Sequence, residues 1–217
     1  MDRRILIVDD HPLFRTALGQ TLMDSAEIRE VGDLPALHKV LEADREWDLV
    51  LLDLNMPGAD GLSGLLLLRA EYPALPIMII SAVAAEGVIK QALELGASGY
   101  LVKSAGPAEI RGAIDTVLSG GVHVPFGVGL PDDTPDGALL HRLTTLTPQQ
   151  VRVLMMLSEG LMNKQIAYEL SISEATVKAH VSSILQKLDV DSRTQAVIAA
   201  SRIGRETFDN LLSARAD

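Results

Sequence analysis

Along the first 120 residues, short apolar runs alternate with stretches whose apolar residues recur every three or four positions. Residues 4–8 form a β-branched run that ends in two acids. Residues 12–23 have helical spacing, with Leu13, Ala17, Leu18 and Leu22 on one side. Residues 28–31 read as a weaker strand and 35–43 as a helix. Residues 48–52 form an unbroken apolar strand ending at Asp53. A helix over 61–72 is stopped by Pro73, a further apolar strand covers 76–80, and a helix over 87–95 is closed by Gly96. A last short strand at 100–102 precedes Lys103, and a helix over 107–118 has Pro107 in its first turn. Strands without polar alternation are buried on both faces, as in a parallel sheet covered by helices. The pattern predicts an α/β doubly wound five-stranded parallel sheet over residues 1–120. Its functional groups should collect at the carboxyl ends of the strands.

From Gly120 to about Leu143 the pattern breaks into Gly, Pro and Asp, and 121–142 reads as a linker, flexible in part. Its Gly127-Val128-Gly129 lacks the third glycine and the following helix of a nucleotide fingerprint. Beyond it, residues 143–217 read as a small all-α domain. Thr147-Pro148 opens a helix that stops at Gly160, and Asn163 caps a short one reaching Leu170. Ser171-Ile172-Ser173 is a turn, a longer helix runs to Leu188, and Ser192 opens a last one through about Ile203. The tight turn between the second and third helices suggests a helix-turn-helix.

Composition changes this picture little: 47% hydrophobic and 22% charged residues are those of an ordinary globular chain. The absence of Cys excludes disulfides and thiolate metal sites and fits a reducing cytosol. The apolar run after Met1 is too short for a signal peptide and none is long enough to span a membrane, so a cytoplasmic protein is expected. The net charge of -10 argues, taken whole, against nucleic acid as a partner. The charge is uneven, however. Residues 1–121 carry about 10 basic and 18 acidic side chains, whereas 141–203 carry about seven and five. Two parts with different partners explain this.

Three carboxylates stand at predicted strand ends, Asp9 and Asp10 after the first and Asp53 after the third, with Ser81 and Lys103 ending two more. Crowded carboxylates repel unless a hard cation joins them, and Mg²⁺ sits on one or two carboxylates plus phosphate oxygens. One carboxylate can act as a nucleophile and form an acyl phosphate. A lysine and a hydroxyl would hold the phosphoryl oxygens, and such transfer needs mostly positioning and charge neutralisation.

Asp9-Asp10-His11, Asp53-Leu54-Asn55-Met56-Pro57-Gly58 with Gly61, Ser81-Ala82 and Tyr100-Leu101-Val102-Lys103 resemble the receiver domain of two-component response regulators over about residues 3–120. The resemblance implies a flavodoxin-like fold in which Asp53 accepts phosphate from a sensor histidine kinase. It implies that Asp9, Asp10, Asp53 and the backbone carbonyl of Asn55 hold Mg²⁺, and that Ser81, Lys103 and Tyr100 bind phosphate and switch. On phosphorylation Ser81 would move toward the phosphoryl group and Tyr100 would turn inward. His11 is expected to shape its loop, and Met56 and Pro57 to set loop geometry.

On the long C-terminal helix, Val177, Val181, Ile184, Leu185 and Leu188 share one face, and Ala175, Lys178, Ala179, Ser182 and Gln186 the other. The second face is small and polar with one cation, which suits a major groove. Leu146-Thr147-Pro148, residues 160–167, 170–173 and 176–180, and Lys187-Leu188 with Ser192-Arg193 resemble the LuxR-type helix-turn-helix. Together the two parts resemble the NarL/FixJ class of response regulators. The resemblance implies that Lys178, Ala179 and Ser182 face bases of double-stranded DNA and that Lys164 meets phosphate; His180 is either structural or a backbone contact. Gln149-Gln150 stands where this family carries Arg-Glu, so a local ion pair is expected to be missing. Ala196, Val197, Ala199, Ala200 and Ile203 form a small apolar surface, either core or the face of an active homodimer.

The function expected is therefore a DNA-binding transcription regulator switched by phosphorylation. Beyond self-phosphorylation and self-dephosphorylation at Asp53 it is expected not to be an enzyme. A pseudo-receiver without phosphate control is the alternative. A phosphatase is disfavoured because Asn55 replaces the second acid which that chemistry needs two residues after the nucleophile. Charge attraction between the acidic receiver and the other domain suggests a closed form that hides the recognition helix.

Overall fold

The computed structural model describes residues 3–56, 59–128 and 135–200. Expectations that fall on Met1, Asp2, Pro57, Gly58, the linker residues Gly129 to Asp133 and the helix end at Ile203 lie outside them. The N-terminal part is one parallel sheet of β1 (Arg3–Val8), β2 (Ala26–Val31), β3 (Leu49–Leu52), β6 (Ile77–Ser81) and β7 (Gly99–Val102), in the order β2-β1-β3-β6-β7. A two-residue hairpin, β4 (Asn55–Met56) with β5 (Ala59–Asp60), follows β3. Helices α1 (Pro12–Leu22), α2 (Leu34–Ala43), α3 (Ser63–Glu71), α4 (Glu86–Glu94) and α5 (Pro107–Leu118) connect the strands.

Strand alternation decides which helix goes where. Leu6, Val8, Val50, Leu52, Ile77 and Ile79 point to one face, covered by α2, α3 and α4 through Leu37, Leu41, Leu65 and Val88. Ile5, Ile7, Leu49, Leu51, Met78 and Ile80 point to the other, covered by α1 and α5 through Leu18, Leu22, Ile110 and Ile114. Both faces are dry, so the strands read as unbroken apolar runs, and the doubly wound sheet is as expected.

The C-terminal part is helical: α6 (Pro135–Thr144), α7 (Pro148–Ser158), α8 (Asn163–Glu169), α9 (Glu174–Leu188) and α10 over 193–200. Thr147 caps α7 with a reciprocal box, its Oγ1 accepting from Gln150 N–H while Gln150 Oε1 accepts from Thr147 N–H at 3.0 Å. Ser173 Oγ caps α9 by accepting from Thr176 N–H at 3.0 Å. None of the described helices is long and apolar enough to cross a membrane.

Three local expectations are corrected. The segment read as linker contains α6, held by Leu140 and Leu143, whose burial in the shared core outweighs its poor local propensity. The cap of α8 is Met162, not Asn163; Gln165 Oε1 accepts from Met162 N–H at 2.8 Å, and Asn163 Oδ1 accepts instead from Arg193 at 3.0 Å. Met56 is a buried strand residue rather than loop geometry alone.

Candidate functional site

The backbone ladders run one rung past the strands and deliver the acids to a common edge. Asp53 N–H donates to Val8 O at 2.9 Å, Asp9 N–H to Val31 O at 3.2 Å, and Lys103 N–H to Ser81 O at 2.7 Å. Lys103 Nζ then lies 2.7 Å from Asp9 Oδ2 and 2.8 Å from Asp53 Oδ2. Its ammonium also sits 4.8 Å from the Phe14 ring centroid, an apolar and quadrupolar wall to the pocket. Asp9 and Asp53 are buried, and Asp10 is half-buried beside them.

Burial pushes the Asp53 carboxyl above the usual carboxylate range, against the opposing pull of Lys103. Burial also works against the charge on Lys103, but Asp53 and Asp9 outweigh it and hold the ammonium above its usual value. Asp53 therefore has two unlike oxygens. Oδ2 is held by Lys103, while Oδ1 is buried and makes no hydrogen bond of good geometry.

His11 acts as a loop former. Its N–H donates to Asp9 Oδ1 at 2.7 Å, and its Nδ1 lies 2.6 Å from Asp10 Oδ1. Asp9, Asp10, His11 and Asp53 offer ligand atoms that all lie within 4.8 Å of one another. Asn55 is half-buried in β4, opposite Asp60.

Ser81 ends β6 fully buried, its Oγ accepting from Val83 N–H at 3.2 Å. The Tyr100 hydroxyl donates to Val83 O at 2.8 Å, and burial pushes the phenol pKa well up. Tyr100 is fully buried, so the structure holds the inward arrangement of the ring.

In the helical part, Val177, Ile184 and Leu188 of α9 are buried against α7 and α8, while Ala175, Lys178, Ala179, Ser182 and Gln186 are exposed. Lys164 on α8 is exposed as well. Lys178 makes an exposed ion pair with Glu174, one turn earlier at 3.4 Å, a weak contact that a stronger partner can displace. An amide stands where an ion pair was expected to be lost. Gln150 is buried, its Nε2 donating to Ser183 Oγ at 2.8 Å and its Oε1 accepting from Lys187 Nζ at 2.8 Å. Nothing local in the sequence signals this link between α7 and α9.

The two parts dock through α3 and α4 on one side and α6 and α7 on the other. Glu71, at the end of α3, pairs with Arg152 of α7 and lies 3.0 Å from His38 Nδ1 on α2. Leu140, Leu143 and Val151 join the same buried cluster as Leu65 and Val88. This corrects the expected closed form: the receiver covers α6 and α7 and leaves the exposed side of α9, with Lys178 and Ser182, open. Apolar burial with one ion pair, rather than long-range attraction between unlike charges, sets the arrangement.

Residues 5–115 match the response regulator receiver domain family, and residues 144–200 match the bacterial regulatory proteins of the luxR family. The glycerol metabolism activator of Pseudomonas putida is 41% identical over 211 residues, covering 92% of this chain and 96% of that protein. The nitrate/nitrite response regulator NarL of Escherichia coli K12 is 34% identical over 202 residues, covering 89% and 93%. The chain belongs to the NarL/FixJ class of response regulators. The solved structure of two RcsB dimers bound to two parallel DNAs shares the fold of this regulator, with a TM-score of 0.56, 23% identity, and 93% and 98% of the two chains covered. As a response regulator with a LuxR-type domain it is a DNA-binding regulator of transcription.

The donor set of this regulator fits a hard divalent cation. It offers clustered carboxylate oxygens, with Asp53 Oδ1 buried and bonded to no side chain, and no soft ligand. The His11 ring shares oxygens with such an ion and would compete with it for them.

Proposed function

We propose that this response regulator accepts a phosphoryl group on Asp53 from a phosphohistidine of a sensor kinase, and that the modified chain binds promoter DNA as a homodimer. The observation that carries the reading is Asp53 itself: a buried carboxylate at a central strand end, with one oxygen held by Lys103 and the other bonded to no side chain. In the transfer, Asp53 Oδ1 attacks phosphorus, the P–N bond breaks, and the leaving imidazole nitrogen takes a proton from solvent. Lys103 neutralises a phosphoryl oxygen as a point charge and Ser81 donates a hydrogen bond to another.

Asp9, Asp10 and Asp53, with the Asn55 carbonyl, would hold Mg²⁺, which supplies neutralisation of the charge gathered at the transferring group. Asn55 supplies no acid two residues after the nucleophile, so hydrolysis of foreign phosphomonoesters is not the activity. The pseudo-receiver alternative has no observation in its favour, because the acids and Lys103 are intact and in contact. On DNA, Lys178, Ala179 and Ser182 would face base edges and Lys164 a phosphate, since these exposed groups lie on α9 and α8. This reading puts its action in the cytoplasm, with the DNA.

The test is labelling by acetyl phosphate with Mg²⁺. The wild type is expected to gain one phosphoryl group at Asp53, and Asp53→Asn, which keeps the shape and loses the nucleophile, none. Phosphate found by mass spectrometry mainly on another residue would overturn the assignment.

A further inference from the structure

Strand β2 ends the sheet, and no strand among the described residues pairs with its outer edge. Val31 O accepts from Asp9 N–H at 3.2 Å, so the backbone of Val31 turns toward β1. Strand alternation turns the backbone of Glu27 and Arg29 the same way. It leaves the N–H and C=O of Ala26, Ile28 and Glu30 pointing away from the sheet. The side chains alternate across the faces. Glu27 and Arg29 lie on the α2 face with Val31, and Ala26, Ile28 and Glu30 lie on the α1 face. Glu27, Arg29 and Glu30 are exposed.

Charged residues commonly guard an edge against pairing. On β2 their order is self-complementary instead. When a second copy runs antiparallel with Ile28 opposite the partner's Ile28, Glu27 stands opposite the partner's Arg29, and Arg29 opposite the partner's Glu27. Ala26 stands opposite the partner's Glu30, so no like charges meet across the pair. The outward backbone makes 26, 28 and 30 the hydrogen-bonded positions. Glu27 and Arg29 then meet at non-hydrogen-bonded ones, where opposing Cα atoms are only about 4.5 Å apart.

Within one chain these charges suit such a contact. Arg29 faces Leu6 across the β1 ladder and makes no ion pair among the described residues, although its field reaches Asp44. Glu27 lies 3.2 Å from Arg4 Nε yet its side chain stays 59% exposed. Glu30 is drawn back toward α1, its Oε2 lying 3.5 Å from Arg15 Nε. Gly19 makes room for it, since a Cβ there would meet Glu30 Oε1 at 3.0 Å. Beside Glu30, Thr16, Met23, Ala26 and Ile28 line an open groove of about 380 Å³ between α1 and β2, and Met23 is 67% exposed. A two-fold axis at Ile28 brings two such grooves together on one face of the joined sheet.

We propose that the outer edge of β2 is a self-association surface, on which a second copy of this chain lays its own β2 antiparallel and joins the two five-stranded sheets into one. One short strand from each copy makes this a weak contact that rises with concentration. It needs neither phosphate nor DNA and does not rest on the reading of Asp53.

The chain holds no cysteine, so an introduced one reports its own position. Glu27→Cys and Arg29→Cys, in the full chain, are oxidised separately and as an equimolar mixture, without Mg²⁺ or DNA. In this register, residue 27 of one copy lies within disulfide reach of residue 29 of the other. Two copies of residue 27, or of residue 29, are diagonal neighbours about 7–8 Å apart and beyond that reach. The mixture is expected to cross-link several-fold faster than either variant alone, with the 27–29 bond identified by mass spectrometry. In sedimentation equilibrium, Arg29→Glu sets like charges at both symmetric pairs and is expected to weaken association about tenfold. Mixing it with Glu27→Arg restores opposite charges at both pairs and is expected to recover association that neither variant shows alone. A cysteine mixture that cross-links no faster than its components, or charge variants that do not recover on mixing, overturns the proposal and leaves the charges of β2 as guards of an unpaired edge. A wild type that stays monomeric at its highest soluble concentration, or one that associates no better than Arg29→Glu, overturns it as well.

Discussion

Lys103→Ala strands two buried carboxylates against each other. Nζ lies 2.7 Å and 2.8 Å from Asp9 Oδ2 and Asp53 Oδ2, and the Lys103 side chain is only 16% exposed. Removing one partner from such a buried set typically costs about 3–5 kcal/mol. Protonation sets a ceiling. At pH 7, putting a proton on Asp53 against its ordinary 3.8 takes about 4.4 kcal/mol at 1.36 kcal/mol per unit. A larger electrostatic penalty would simply be relieved by that proton, so a loss of about 3–4 kcal/mol is expected at pH 7 without metal. The sign with pH follows from the upward shift. In the variant, Asp53 keeps its proton to higher pH in the folded chain than in the unfolded one, so stability falls as pH rises between the two values. The deficit against wild type is therefore small near pH 4, grows on the way to neutrality and levels off once Asp53 ionises in the folded variant. A cation on the three acids replaces the lost charge, so millimolar Mg²⁺ should recover part of the loss. Urea unfolding followed by Trp47, the single and buried tryptophan, reads the receiver alone. A Lys103→Ala chain in EDTA that is as stable as wild type at pH 7, or equally weakened at about pH 4.5 and about pH 7.5, would refute the reasoning.

Lys178→Ala is expected to cost about 1–3 kcal/mol of specific DNA binding and to relax sequence preference if it reads a base edge; if it meets phosphate, affinity falls on all DNA and the salt slope shrinks by about one. A folded variant with both unchanged, by salt titration of binding, removes Lys178 from the interface. Gln150→Ala leaves Lys187 Nζ and Ser183 Oγ without their buried partner, and a loss of about 1–3 kcal/mol is expected in denaturant unfolding of the helical part. An unchanged midpoint counts against the Gln150 bridge. Glu71→Ala removes the shared partner of Arg152 and His38, so small-angle scattering should show a larger mean radius than wild type. An unchanged profile means apolar packing of α6 and α7 alone holds the domains.

The receiver was legible because its chemistry and its fold share one constraint. Groups gathered at one edge of a parallel sheet stand where its strands end, and apolar runs bounded by Asp9, Asp53, Ser81 and Lys103 mark those ends in one dimension. The exposed face of α9 was legible for a similar reason, since a 3.6-residue period assigns Val177 and Ile184 to the core and Lys178 and Ser182 away from it. What could not be read depends on partners far along the chain. Helix α6 begins Pro-Asp-Gly and exists because Leu140 and Leu143 meet the other domain. Glu71 and Arg152 stand 81 positions apart, and nothing around either residue announces the other. The hairpin of β4 and β5 has two-residue strands, too short for any period to show. The inward Tyr100 is a choice of side-chain rotamer, which sequence pattern does not address.

The open face of α9 has a consequence for how a promoter is searched. A regulator that masks its reading surface must unfold a contact before it can touch DNA at all. Here Lys178, Ala179 and Ser182 stay accessible while α6 and α7 are docked on the receiver. With that face accessible, a single chain would be able to sample duplex in either state. What the docked arrangement withholds is a second reading helix at a defined distance, about one helical turn of DNA or 34 Å away. Two weak readers joined at that spacing bind as one tight reader through effective concentration, with no new contact to any base. On this view control lies in spacing: the acceptor site governs whether two already legible surfaces can be presented in register.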